Sequence, residues 1–80
     1  MNIKLVFSTE NNDFEHWIKL PTIPRLKEWF NVQEIIKPEL FLEIKKSAFC
    51  WSGEKGTIQS VEYRHNKKQF FVEVYIWCED

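Results

Sequence analysis

The sequence predicts a mainly-β α+β fold: five short antiparallel strands, in a small barrel or strongly bent sheet, with one helix between the third and fourth. Three observations carry this. The closing segment 70–78 alternates, with Phe70, Val72, Val74, Ile76 and Cys78 on one side and Phe71, Glu73, Tyr75 and Trp77 on the other. Helical spacing occurs in one place, after Pro38. Aromatic residues make up 16% of the 80 residues against two glycines, and large rings bury enough area to sustain a core in one small domain, residues 1–80.

The first strand runs over residues 2–8, with Ile3, Leu5 and Phe7 on one side and Asn2, Lys4 and Ser8 on the other; Val6 mildly interrupts the polar side. Glu10-Asn11-Asn12-Asp13 is a run of turn formers and predicts a hairpin. The second strand, about 14–20, puts Phe14, His16, Ile18 and Leu20 in one row and Glu15, Trp17 and Lys19 in the other. Pro21 and Pro24 end its pairing because neither donates a ladder hydrogen bond. A short third strand is expected over 28–32, with Phe30 and Val32 facing together.

Pro38 suits the first turn of a helix and Glu39 its positive end, while Lys45 and Lys46 suit the last turn. Leu40, Phe41, Ile44 and Ala48 form the apolar stripe; Leu42 and Phe49 point away from it, and Lys37 is a poor cap. The helix is expected to end at 47–50, before the loop Ser52-Gly53-Glu54-Lys55-Gly56. A strand over 57–65, a turn at 66–69 and the closing strand complete the order β-β-β-α-β-β.

The net charge of −1, from eleven basic and twelve acidic residues spread along the chain, gives no argument for strong generic binding to nucleic acid or an anionic membrane, and leaves a local patch open. No signal peptide or membrane-length apolar run is present, so the expected compartment is the cytoplasm, where Cys50 and Cys78 remain thiols rather than a disulfide.

Leu20-Pro21-Thr22-Ile23-Pro24-Arg25-Leu26-Lys27-Glu28-Trp29-Phe30-Asn31-Val32 followed by Gly56-Thr57-Ile58-Gln59-Ser60-Val61-Glu62-Tyr63 resembles small SH3-like barrels. In these a P-R-x-G-[DE]-x-V strand entry precedes a G-x-[IV]-x-x-V strand start. The layout also looks like small bacterial and mobile-element proteins of that plan. The resemblance spans about half the chain, and Lys27 stands where the pattern has glycine. It implies a barrel whose relatives bind proteins, bind RNA or serve structural roles, and it carries over no functional residue.

Two surfaces are candidates for function. Trp17, Trp29, Trp51, Phe71, Tyr75 and Trp77 are protein-binding candidates, since rings anchor interfaces; the alternative is that the helix covers them, through Phe41 or Phe49, as a second small core. The partner is then an unidentified protein or a second copy of the chain. Arg64, His65, Lys67 and Lys68 are nucleic-acid-binding candidates, basic groups beside rings at one hairpin tip; the bland alternative is a solvated turn that protects strand ends.

Catalysis has little support. Cys50, Cys78, His16 and His65 match a tetrahedral zinc set in number but lack C-x-x-C or H-x-x-x-H spacing, so no metal or other cofactor is expected. Scattered carboxylates and a lone thiol such as Cys50 nominate no catalytic residue. The sequence reads as a non-catalytic binding or accessory module.

Overall fold

The computed structural model describes residues 2–19, 23–48, 51, 53, 55–66 and 68–79, with the backbone alone at position 66. Five strands, β1 (Asn2–Ser8), β2 (Asp13–Lys19), β3 (Trp29–Asn31), β4 (Lys55–Asn66) and β5 (Gln69–Trp77), form one curled half-barrel sheet in the order β2-β1-β5-β4-β3. Two helices, α1 (Val32–Ile35) and α2 (Pro38–Ser47), lie between β3 and β4 in sequence.

The purely antiparallel expectation is corrected: β1 and β5 are parallel neighbours, Ile3 beside Val72, Leu5 beside Val74 and Phe7 beside Ile76, so the sheet is mixed. These two strands occupy the middle of the sheet, and each matches its inner row to the other's. A parallel pair cannot be closed by a hairpin, and here the rest of the chain separates its strands.

The single-helix expectation is corrected too. Val32 does not extend β3; it opens α1 and is fully buried. Asn31-Val32-Gln33-Glu34 has the residue types of a capping box, although the Asn31 side chain makes no capping bond. The second helix follows its sequence signals, with Pro38 in the first turn, Glu39 beside it and Lys45 and Lys46 in the last turn. Ile44 is fully buried, with Leu40, Phe41 and Ala48 packed around it.

One face of the sheet, here the inner face, carries the core. Ile3, Leu5, Phe7, Ile58, Val72, Val74, Ile76 and Cys78 meet Val32, Ile36, Ile44 and Trp51 from the helices and the segment after α2. Gly56 is part of that packing: a β-carbon there would stand 2.5 Å from an Ile76 methyl and 2.6 Å from a Val32 methyl. Two residues later the ladder between β4 and β5 shifts register between Ile58 and Ser60. The extra residue lets Ile58 and Val61, three apart, face the same way, opposite Ile76 and Val74.

The loop entering β3 is tied to the same region. Lys27 adopts left-handed backbone, φ 70°, in a turn closed by the Glu28 amide donating to the Arg25 carbonyl at 3.2 Å. The Lys27 amide donates to the Ile58 carbonyl at 3.1 Å and the Ile58 amide to the Glu28 carbonyl at 2.9 Å. At the far end, the β1–β2 turn clasps the end of α2: Asn11 Nδ2 donates to the Ser47 carbonyl at 2.8 Å, and Thr9 Oγ1 lies 2.9 Å from Ser47 Oγ.

Candidate functional site

Because successive strand residues alternate sides, the residues between those of the core rows share the opposite, outer face. Register aligns them into cross-strand rows. Trp17, Lys4, Glu73 and Glu62 form one, Glu15, Val6, Tyr75 and Ser60 the next, and Ser8, Trp77, Thr57 and Trp29 a third. Both helices contribute their buried side chains to the inner face, so the rings of the outer face are arranged by the sheet itself.

Glu73 is the centre of this face. It is only 7% exposed although its neighbours Val72 and Val74 point into the core. The Tyr75 hydroxyl donates to Glu73 Oε1. Lys4 Nζ lies 3.3 Å from Glu73 and 2.8 Å from Glu15, and Arg64 lies 3.4 Å from Glu73 and 3.1 Å from Glu62. The carboxylate therefore meets a phenol and two cations. The Tyr75 hydrogen bond first, and then Lys4, hold its pKa below the ordinary glutamate value against the opposing effect of burial. The same bond raises the Tyr75 phenol, and the hydrogen bond to Glu15 raises Lys4.

Around this network the rings are ordered. Trp17 on β2 meets Phe71 on β5 edge-on at 5.1 Å between centroids, which carries them over the intervening β1. Trp17 remains 49% exposed, while Phe71, Tyr75 and Trp77 are half-buried. Trp29 lies on the same face at the far edge, 59% exposed, with Lys55 Nζ 5.9 Å from its ring centroid.

Trp51 is a correction to the candidate set. It is 5% exposed within the core, its ring 5.8 Å from Phe41 and its indole N–H donating to the Lys55 carbonyl at 2.9 Å. Phe41 thus packs on Trp51, on the inner side, and not over the outer-face rings; Phe49 lies outside the described residues.

The basic tip separates in three directions. Arg64 belongs to the outer-face ion pairs, its guanidinium engaged by Glu62 and Glu73. His65 alternates to the opposite side and stacks on Phe70 at 4.4 Å. Lys68 occupies the turn, and Lys67 lies outside the described residues. Arg64 and His65 therefore do not converge on one ligand.

Burial pushes the Cys78 thiol up to about 12, so it is protonated at neutral pH as well as enclosed. His16 stands opposite Leu5 and His65 at the hairpin tip, while Cys50 lies outside the described residues. Among the described residues no three His, Cys, Asp or Glu side chains are grouped to hold a metal. Among them, too, no helix is long and apolar enough to cross a membrane.

Glu73, Lys4, Glu15 and Glu62 are the site residues that the sequence does not nominate. Their signal was a lone acid between two valines in an apolar strand and a lone lysine in another. Only the parallel β1–β5 register brings the two together. Comparison of the chain with family models, curated proteins and solved structures gave no match.

Proposed function

We propose that this chain is a non-catalytic protein-binding module that engages its partner through the outer face of the sheet. The observation that carries this reading is Trp17, half exposed yet already fixed against Phe71, beside the ion-paired Lys4–Glu73–Arg64 cluster. A ring held in place before binding loses little conformational freedom on docking, and aromatic and Arg side chains dominate contact energies. Trp77 and Trp29 extend the contact surface along the third row. The cytoplasm is the proposed setting. The SH3-like resemblance is supported by the turn at Lys27, left-handed where that pattern has glycine; the parallel β1–β5 pair departs from it.

Retention of one recurring partner by immobilised protein, followed by titration with that partner purified, tests the reading. Trp17→Ala and Trp29→Ala are expected to stay folded and to weaken binding about tenfold or more, the scale of interface hot spots. A Tyr75→Ala or Trp77→Ala protein that melts far lower while every outer-face variant binds normally would make the face a second core instead. Salt-sensitive oligonucleotide binding lost on Arg64→Glu with Lys68→Glu would replace the protein partner by nucleic acid.

A further inference from the structure

β4 is twelve residues long, but β3 covers only Lys55, Gly56 and Thr57 of it, and Lys27 and Glu28 then take Ile58. Beyond that point the edge of β4 facing away from β5 has no strand beside it among the described residues. Antiparallel ladders alternate, so every second residue turns its N–H and C=O away from its neighbour. Ile58 turns both groups toward the β3 side. The bulge absorbs one residue against Tyr75, and the alternation resumes with Val61, Tyr63 and His65 presenting theirs to the open edge. The exposed side chains there are large and apolar: Tyr63 is 75% and Phe70 is 79% exposed. They border an apolar notch of about 90 Å³ together with Phe71 and Val72.

We propose that two copies of this chain pair through this edge, β4 against β4, antiparallel about a two-fold axis at Tyr63. The charges select both the partner and the register. Outward-facing groups must meet outward-facing groups, so the axis passes through one of residues 62, 63 or 64 when at least two pairs among Val61, Tyr63 and His65 exchange bonds. An axis at Glu62 sets glutamate against glutamate, and one at Arg64 sets arginine against arginine; like charges directly opposite are destabilising. An axis at Tyr63 sets Glu62 of each copy opposite Arg64 of the other, twice. It also pairs Val61 with His65 of the second copy and Tyr63 with itself, joining the apolar side chains across the axis. The edge is therefore self-complementary, as an isologous interface requires, and the two half-barrels become one continuous sheet by strand addition. This edge shares Glu62, Arg64 and Phe71 with the outer-face cluster, but pairing runs through the β4 backbone and not through Trp17, Trp29 or Trp77, and neither reading depends on the other.

Sedimentation velocity and light scattering of the intact chain, from about 10 µM to about 1 mM to cover a small and weak interface, form the test. The mass is expected to rise from 9.8 kDa toward twice that value. Glu62→Arg alone and Arg64→Glu alone are each expected to hold the mass at the monomer value. Mixing the two variants in equal amounts is expected to restore the doubling, because each then meets its opposite charge. Tyr63→Pro removes an outward N–H while sparing the ladder to β5, and is expected to be folded and monomeric. In concentrated wild-type protein the amides of Val61, Tyr63 and His65 are expected to exchange with solvent more slowly than in dilute protein. A mass that stays monomeric throughout overturns the proposal. So does a dimer that persists in both charge variants and in Tyr63→Pro, since it would use another surface, the outer-face rings among them.

Discussion

The two faces of this sheet are built from the same strands, residue by residue, and they solve burial differently. On the inner face, Leu5, Val74 and Ile76 are shielded by helices brought from elsewhere in the chain. On the outer face, Val6 and Glu73 are also buried, at 4% and 7% exposure. There the neighbouring strands provide the cover: Trp17 meets Phe71 over β1, and Lys4, Arg64 and Tyr75 gather on the carboxylate. Non-directional apolar contact holds the first face, whereas the second depends on directed hydrogen bonds and ion pairs around a single acid. The outer face is thus ordered and still open to a partner.

The contrast is sharpest on β1. Leu5→Ala, opposite His16 and Val74, is expected to cost about 2–5 kcal/mol, the range for truncating a buried leucine. Thermal or denaturant unfolding reads this as the largest loss of the series; a loss below about 1 kcal/mol would break the distinction between the faces.

Next in size is Gly56→Ala. The added methyl would have to displace methyls of Ile76 and Val32 rather than a flexible side-chain tip, and overpacking of this kind costs about 1–3 kcal/mol. A stability equal to wild type would mean that the inner face can give at this point.

Glu73→Gln probes the other face at comparable cost, about 1.5–3 kcal/mol, the worth of hydrogen bonds to a charged group. Its pH signature separates it from a packing defect. Glu73 is depressed in the folded state, so its contribution is present above the ordinary glutamate pKa near 4.5 and is lost as pH falls through the lower folded value. Tyr75 and Lys4 are raised, so theirs are present below about pH 10 and are lost as pH rises through the folded values. Cys78, raised from the ordinary thiol value of 9.0 to about 12, begins to lose its contribution first, above about pH 9. Melting temperature should be level between about pH 4.5 and pH 9, and Glu73→Gln should flatten the acid-side fall. An unchanged acid limb would remove Glu73 from the centre of the face.

The smallest effect belongs to Trp17→Ala. Half exposed, with one edge-on ring contact, it is expected to cost about 0.5–1.5 kcal/mol. Partner binding, rather than melting, is where its loss should register.

Much of the inner face was legible because strand alternation and helical spacing are local. Ile3, Leu5 and Phe7, the alternate residues of β5 and the Leu40–Ile44 stripe read out their own faces. Gly56-Thr57-Ile58-Gln59-Ser60-Val61 held the bulge in its three-residue spacing, and Asn31 followed by Glu34 held the start of α1, but short apolar runs look alike as strand or helix. The aromatic row of β5 was visible as well. Its charged centre was not, since Glu73 and Lys4 stand at opposite ends of the sequence. Trp51 was misjudged for a similar reason: a loop tryptophan shows no periodicity that would mark it as core.

The sequence by itself determined which residues within each element go together, because that depends on the two or 3.6 residues of a local repeat. It also determined the ends of α2 and the hairpin turns, through proline, acidic and turn-forming residues acting on their own backbone. Only the tertiary structure decided that β1 lies parallel to β5, that the helices take the inner face, and that Glu73 gathers Lys4, Tyr75 and Arg64. Those outcomes depend on which distant rows complement one another in shape and charge, a property of pairs of segments that no single segment carries.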